Sequence, residues 1–306
     1  MALFLVFLLY GVWSSCFSLG KLALDCCPPV FLTGIRMFLA GVILLAFLMF
    51  KKPNSFKLPL KYYAALCVLG FFSVYLTNIC EYWGLQHLSA AKTCFIYSLS
   101  PFFSLLFSYL HFKEKLNLKK CFGLFVGFLG FIPVLKMQSG ASLTSSFFSI
   151  SLADLAIVGA AVFSVYGWVL LRVMLKHDIS PLMANGISMT FGGFVALVHS
   201  FFIDSWNPWP VAEGKAQPFL IGLAITIFVY SIFCYNLYGY LLKRFTATFL
   251  SFAGLLSPIF ASFNAWLILK EPPSPVIFLA TGIVSLGLFF VYQAELKQGY
   301  IRIKQP

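Results

Sequence analysis

The sequence predicts an all-α membrane protein of ten transmembrane helices, arranged as two inverted five-helix repeats. Three observations predict it. Apolar runs of about 20 residues, each long enough to cross a hydrocarbon core of roughly 30 Å, recur along the 306 residues. The links between the runs alternate between rich and poor in lysine and arginine. Short blocks of the first half reappear in the second. Composition agrees: 61% of residues are hydrophobic and only 10% charged, against about 25% charged in a soluble domain.

The first run, residues 3–20, starts apolar at Ala2 with no basic n-region and no cleavage site, so it reads as a retained span and not a signal peptide. Pro28-Pro29 introduces the second, 29–50, and Lys51-Lys52-Pro53-Asn54 ends it. The third, 62–85, is parted from the fourth, 89–110, by the short link at Gln86-His87. The fifth covers 121–136. The stretch from Gln138 to Ser151, rich in Ser and Thr, is the longest polar link and the boundary between halves. The remaining spans are 153–172, 181–202, 217–240, 246–269 and 275–293. Between Asp204 and Gln217 lie Pro208, Pro210 and two Trp residues suited to a membrane interface. The first repeat is thus 1–138, a linker follows at 139–151, the second repeat is 152–295, and 296–306 form a tail. Continuous runs without period-two alternation favour helices over strands.

Basic residues set the orientation. With the N-terminus in the cytoplasm, fifteen lysines and arginines fall inside, from Lys51 and Lys52 through Lys113, Lys119, Lys120, Arg172, Lys176, Lys243 and Arg244 to Lys297, Arg302 and Lys304. Four fall outside, namely Lys21, Lys136, Lys215 and Lys270, while Arg36 and Lys92 lie within spans. Both termini are expected in the cytoplasm of a bacterium, with the chain in the inner membrane. The net charge of +12 sits in these short clusters and not on an arm or an amphipathic face, so no nucleic-acid partner is expected. Most of the eight cysteines lie in apolar runs without Cys-x-x-Cys spacing, and the four histidines are scattered at span ends. No metal, no cofactor and no disulfide framework is expected.

Ser100-Pro101 is followed, after eleven residues, by Lys113-Glu114, and Ser257-Pro258 is followed at the same distance by Lys270-Glu271. Pro29, Gly34, Ile35, Met37 and Gly41 match Pro181, Gly186, Ile187, Met189 and Gly193. The offsets are 157 and 152, so one small indel separates the blocks. An odd number of spans per repeat turns the second upside down relative to the first. Inverted repeats are a recurring transporter architecture, with the binding site at their interface.

With these motifs the chain resembles the drug/metabolite transporter superfamily, in its EamA-like ten-helix branch. The carrying residues are Gly11-Val12-Trp13-Ser14-Ser15, Arg36, and Leu88-Ser89-Ala90-Ala91 leading to Ser100-Pro101. In the second half they are Ala247-Thr248 leading to Ser257-Pro258 and Glu271. The resemblance covers essentially the whole chain. It implies a pseudo-two-fold bundle around a central cavity lined by spans 1–4 and 6–9, with spans 5 and 10 peripheral. Glu81 and Lys92 depart from the usual pattern. The string as a whole further resembles the S-adenosylmethionine/S-adenosylhomocysteine transporters of obligate intracellular bacteria.

Charges inside apolar runs are the first candidates for substrate binding, since one at mid-bilayer costs roughly 2.5–3.5 kcal/mol on insertion scales. Arg36 either grips a substrate carboxylate in a forked geometry or pairs with Asp25 or a helix-end carbonyl. Glu81 either attracts an amine or sulfonium, or carries a coupling proton, or pairs with Lys92. Lys92 is a second anion ligand or snorkels to the interface. Trp13, Tyr97, Trp168 and Tyr235, with Tyr75, Tyr166, Tyr230 and Tyr238, are candidates to stack a purine or hold a cation, or simply to pack. Asn78 and Asn236 bond either a neighbouring helix or the substrate. Pro101 and Pro258, mid-span and symmetric, are hinges or static kinks. Gly123, Gly127 and Gly130 have the spacing of a close helix contact.

Nothing in the links has the spacing of a catalytic site, so no catalytic residue is assigned and an enzyme is not expected. The expected function is secondary transport of a small polar metabolite by alternating access, with exchange of S-adenosylmethionine for S-adenosylhomocysteine as the leading reading. Such a substrate offers a carboxylate, an amine, a sulfonium and a flat purine, for which Arg36, Glu81 and the aromatic rings are partners. The alternatives are a proton-coupled exporter of amino acids or cationic drugs, and an intramembrane lipid enzyme. The chain is expected in the lipid bilayer as a monomer or homodimer.

Overall fold

The computed structural model describes residues 2–88, 93, 96, 97, 99–114, 117–138, 151–257, 259, 260 and 275–299. Among these the regular structure is helical. The helices are α1 (Ala2–Trp13), α2 (Cys16–Leu24), α3 (Pro29–Lys51), α4 (Leu60–His87), α5 (Ser100–Phe112), α6 (Leu118–Gln138), α7 (Leu152–Lys176), α8 (Pro181–Ile203), α9 (Ala216–Leu242), α10 (Ala247–Leu256) and α11 (Pro275–Lys297). Five of them, α3, α4, α7, α8 and α9, are long and apolar enough to cross a membrane by length and composition. α1 and α10 are shorter apolar helices. Large apolar side chains such as Phe50, Leu118 and Phe202 stand exposed on the outside of the bundle, where a bilayer rather than water suits them.

Local chemistry sets the helix ends. Ser151 and Asp154 form a reciprocal capping box at the start of α7. Ser180 accepts from the Met183 N–H at the start of α8, with Pro181 in the first turn. Thr246 accepts from the Phe249 N–H at the start of α10. The first span departs from expectation: it is broken between Trp13 and Cys16 and runs on to Leu24. The cause lies in Ser14 and Ser15, whose hydroxyls donate to the Gly11 and Val12 carbonyls at 2.8 and 2.7 Å and bend the helix.

α4 and α9 each carry a π-helical segment, over Gly70–Leu76 and Thr226–Cys234. Such segments leave carbonyls out of the usual ladder. In α4, Thr77 donates to Phe72 O at 2.8 Å and Asn78 to Val74 O at 2.8 Å. In α9, Asn236 donates to Ile232 O at 2.7 Å.

Packing pairs helices of the two halves. α3 lies along α8, α6 along α11, and α5 against α10. α4 rests on α7 and α8, as α9 rests on α1 and α3. Glycines bring the paired backbones together. A Cβ on Gly41 would sit 2.4 Å from the Thr190 nitrogen, and one on Gly193 would sit 2.3 Å from the Phe38 nitrogen. Gly123 and Gly287 meet in the same way between α6 and α11, and Gly127 accommodates the Phe252 ring.

Candidate functional site

Among the described residues a central cavity opens between the halves. Its walls come from α1, α2, α3, α4, α5, α7, α9 and α10. No described residue of α6 or α11, the helices of spans 5 and 10, is among its walls. α8 also contributes nothing, although span 7 was expected at the wall; its face is taken up by α3.

The polar end of the cavity is built on α3 and α4. Arg36 is 3% exposed. Its Nη2 donates to Asn78 Oδ1 at 2.5 Å, and its guanidinium carbon stands 5.2 Å from the centre of the Tyr82 ring. Its Nε finds no acceptor among the described residues. Asn78 is turned toward Arg36 because its own amide nitrogen is tied to Val74 O in the π segment. Asn78, Glu81 and Tyr82 share one face of α4 by their i, i+3, i+4 spacing, and all three line the cavity. The ion pairs of 4 Å or less among the described residues do not include Arg36 or Glu81. Arg36 is therefore not paired with Asp25, and a guanidinium and a carboxylate face one cavity without neutralising each other at short range.

Beside these groups the cavity wall is an aromatic tier. Trp13 from α1, Trp168 from α7 and Tyr235 and Tyr238 from α9 stand with ring centroids 4.1–6.1 Å apart. Trp168 Nε1 donates to Ser164 Oγ at 3.1 Å, which fixes the indole plane. Tyr10 donates to Leu250 O at 2.5 Å, and the Tyr230 and Ser15 hydroxyls lie 2.7 Å apart. Flat rings held in this way present faces and edges to a planar or cationic group.

Of the residues singled out from sequence, Trp13, Arg36, Glu81, Tyr97, Trp168 and Tyr235 meet in this cavity, as do Tyr230 and Tyr238. Asn236 does not line it: its Oδ1 accepts from Asn185 Nδ2 at 3.0 Å, fastening α9 to α8. Tyr75 pairs with His199, and Tyr166 packs among Phe72, Phe107 and His111. Lys92 and Pro258 lie outside the described residues. Pro101 stands in the first turn of α5. Proline has no N–H for the carbonyl four residues back, Tyr97 O, and the Ser100 hydroxyl takes that carbonyl instead. The Ser-Pro pair thus breaks the backbone at the cavity wall. Sequence reasoning missed Tyr10, Cys16, Tyr82, Ser164 and Ser251. Only Tyr82 carried a signal, its helical spacing from Asn78 and Glu81.

An all-helical bundle with a mixed polar and aromatic chamber defines a multi-pass membrane protein that takes up a small ligand within itself. The EamA-like transporter family matches residues 1–135 and 151–293, and the chain belongs to that family. It is similar to the S-adenosylmethionine/S-adenosylhomocysteine transporter of Chlamydia muridarum, with 38% identity over 98% of this chain and 94% of that protein. The protein of the same name from Chlamydia trachomatis serovar L2 is 37% identical over 98% of this chain and 92% of its own length. A crystal structure of a protein 15% identical superposes with a TM-score of 0.75 over 97% of this chain and 98% of that one, which supports the fold alone. The chain is a membrane transporter and not an enzyme.

Proposed function

We propose that the chain is a secondary transporter that exchanges S-adenosylmethionine for S-adenosylhomocysteine by alternating access, from an inner membrane with both termini in the cytoplasm. The observation that carries this is Arg36, a buried guanidinium held by neutral partners, facing a cavity that Glu81 also lines without an ion pair to it. An amino-acid headgroup supplies the missing partners, its carboxylate to Arg36 and its ammonium to Glu81. The aromatic tier offers surfaces for the purine and, by cation–π attraction, for a sulfonium. The names of the two chlamydial relatives support this substrate.

Ten spans in two inverted repeats underlie the mechanism. The paired packing of α3 with α8, α5 with α10 and α6 with α11 supports that arrangement, as do the corresponding π segments of α4 and α9. Halves that swap conformations open one chamber to alternate sides. Glu81, lacking an ion pair among the described residues, also suits proton-coupled export of an amino acid or cationic drug, the second reading.

The test is uptake of labelled S-adenosylmethionine by cells expressing the chain. Uptake above the vector control, competed by both unlabelled compounds and faster after preloading with S-adenosylhomocysteine, is the expected result. Uptake at the control level removes this substrate. Export that follows an imposed pH gradient favours the second reading.

A further inference from the structure

The cavity does not account for a second set of charges, buried at the end of the bundle where α5, α7 and α11 finish and α6 and α10 begin. Glu114, just beyond α5, is 3% exposed and accepts from Arg172 Nη1 of α7 at 2.5 Å. Lys120 of α6 and Glu295 of α11 are both fully buried, with 2.6 Å between Nζ and Oε1. Lys120 Nζ also stands 3.7 Å from Glu114, and Thr246, at the start of α10, donates to Glu295. Glu114, Arg172, Lys120 and Glu295 thus form one charged cluster that joins both halves, with Lys176 Nζ beside it, 4.2 Å over the Phe112 ring. Lys113-Glu114 is one arm of the Ser-Pro to Lys-Glu frame, which the transport site leaves unused.

The two ion pairs differ in what they can do. Lys120–Glu295 ties α6 to α11, whose backbones already touch at Gly123 and Gly287. Neither group is exposed, so neither could exchange the other for water if the two separated. Arg172–Glu114 joins α7 to the chain beyond α5, and α7 and α5 are both cavity walls. Arg172 is 12% exposed and stacks over Phe112, the last residue of α5, at 4.7 Å. Water at its edge can take over when this pair opens. Arg172 also lies one helical turn beyond Trp168 of the aromatic tier, on the same face of α7.

We propose that the Arg172–Glu114 pair is the latch that shuts the chamber at this end, and that Lys120–Glu295–Thr246 is its fixed anchor. The proposal rests on the alternating-access reading. The positive-inside pattern assigns this end to the cytoplasm. Transport then requires Arg172 to release Glu114 each time α7 parts from α5.

Cys16 lines the cavity and serves as a native reporter whose reading does not depend on the substrate. A membrane-impermeant thiol reagent is applied to inside-out and to right-side-out vesicles carrying the full chain, with Cys16→Ser giving the background from the other cysteines. Glu114→Gln and Arg172→Gln should raise the Cys16 labelling rate about tenfold from the cytoplasmic face and lower it from the other. The swap Glu114→Arg with Arg172→Glu should return both rates toward the parent. Unchanged rates in the folded single variants, or equal increases from both faces, would overturn the latch. If the glutamine variants fail to fold, Arg172→Lys, which keeps the charge and loses the fork, should still label faster than the parent from the cytoplasmic face; an equal rate overturns the proposal. Failure of S-adenosylmethionine uptake with a working latch would remove the substrate and leave the gate standing.

Discussion

Arg36 concentrates the chemistry of the chamber in one side chain. A guanidinium in a helix that crosses the bilayer is costly, and the described residues give it no ion pair within 4 Å. Asn78 accepts one of its hydrogen bonds, the Tyr82 ring lies close to it, and Nε has no acceptor among the described residues. A bound carboxylate would complete the set. Charge-assisted hydrogen bonds contribute roughly 1.5–3 kcal/mol, so Arg36→Gln should cut the initial-rate kcat/KM for uptake by about 10- to 100-fold at equal protein level. Arg36→Lys keeps the charge without the fork and should fall between. Equal kinetics in all three proteins would remove Arg36 from the site. The two asparagines supply an internal contrast. Asn78 bonds the cavity-lining Arg36, whereas Asn236 bonds Asn185 on α8. Asn78→Ala should therefore raise KM, and Asn236→Ala should lower the melting temperature in detergent while leaving KM near the parent value. The opposite pattern would exchange the two roles.

Helix pairs explain why the repeat could be read at all. Gly34 and Gly41 on α3, matched in sequence to Gly186 and Gly193 on α8, turn out to lie at the contact between those two helices. In the proposed inverted repeat, equivalent residues of helices packed on each other meet at the same seam, so one packing demand writes the same small residues twice. Adding a methyl at Gly193, 2.3 Å from the Phe38 backbone nitrogen, forces two main chains apart. Gly193→Ala should cost about 1–3 kcal/mol and lower the detergent melting temperature measurably. Gly222 on α9 has nothing within 4 Å of a built Cβ, so Gly222→Ala should hold or slightly raise it. Equal melting temperatures for the two variants would mean that the seam tolerates a wider spacing. The π segments were not legible in the same way. No residue preference separates Gly70–Leu76 from an ordinary helix, and only the asparagines that follow, bonding carbonyls four residues back, hint at them. The break at Ser14-Ser15 was hidden for a similar reason, because the apolar run continues across it.

Across the whole molecule, the composition and basic pattern pointed to a membrane bundle, and charges in apolar runs pointed to the polar end of its chamber. What the sequence did not disclose was convergence: that Tyr10 and Cys16 meet Ser164 and Ser251 depends on how helices far apart in the chain neighbour one another. The buried Glu114–Arg172 pair was equally hidden, since Arg172 read as a topology-setting charge and Glu114 only as part of a repeated motif. Convergence also bears on energetics. In the proposed exchange, if no proton travels on Glu81, the net charge moved per cycle belongs to the cargo. S-adenosylmethionine carries a carboxylate, an ammonium and a sulfonium and is singly positive; S-adenosylhomocysteine, without the sulfonium, is neutral. One-for-one exchange therefore carries one positive charge inward. A membrane potential contributes about 2.3 kcal/mol per elementary charge per 100 mV, enough to drive roughly 50-fold accumulation. In vesicles loaded with S-adenosylhomocysteine, a potassium diffusion potential negative inside should accelerate labelled S-adenosylmethionine uptake, and one positive inside should slow it. A flat response would mean that a compensating charge moves, and Glu81 is the carboxylate in the cavity placed to carry it as a proton. In that case Glu81→Gln, which cannot release a proton, should restore the dependence on potential; uptake that stays flat in both proteins would rule out exchange of these two compounds.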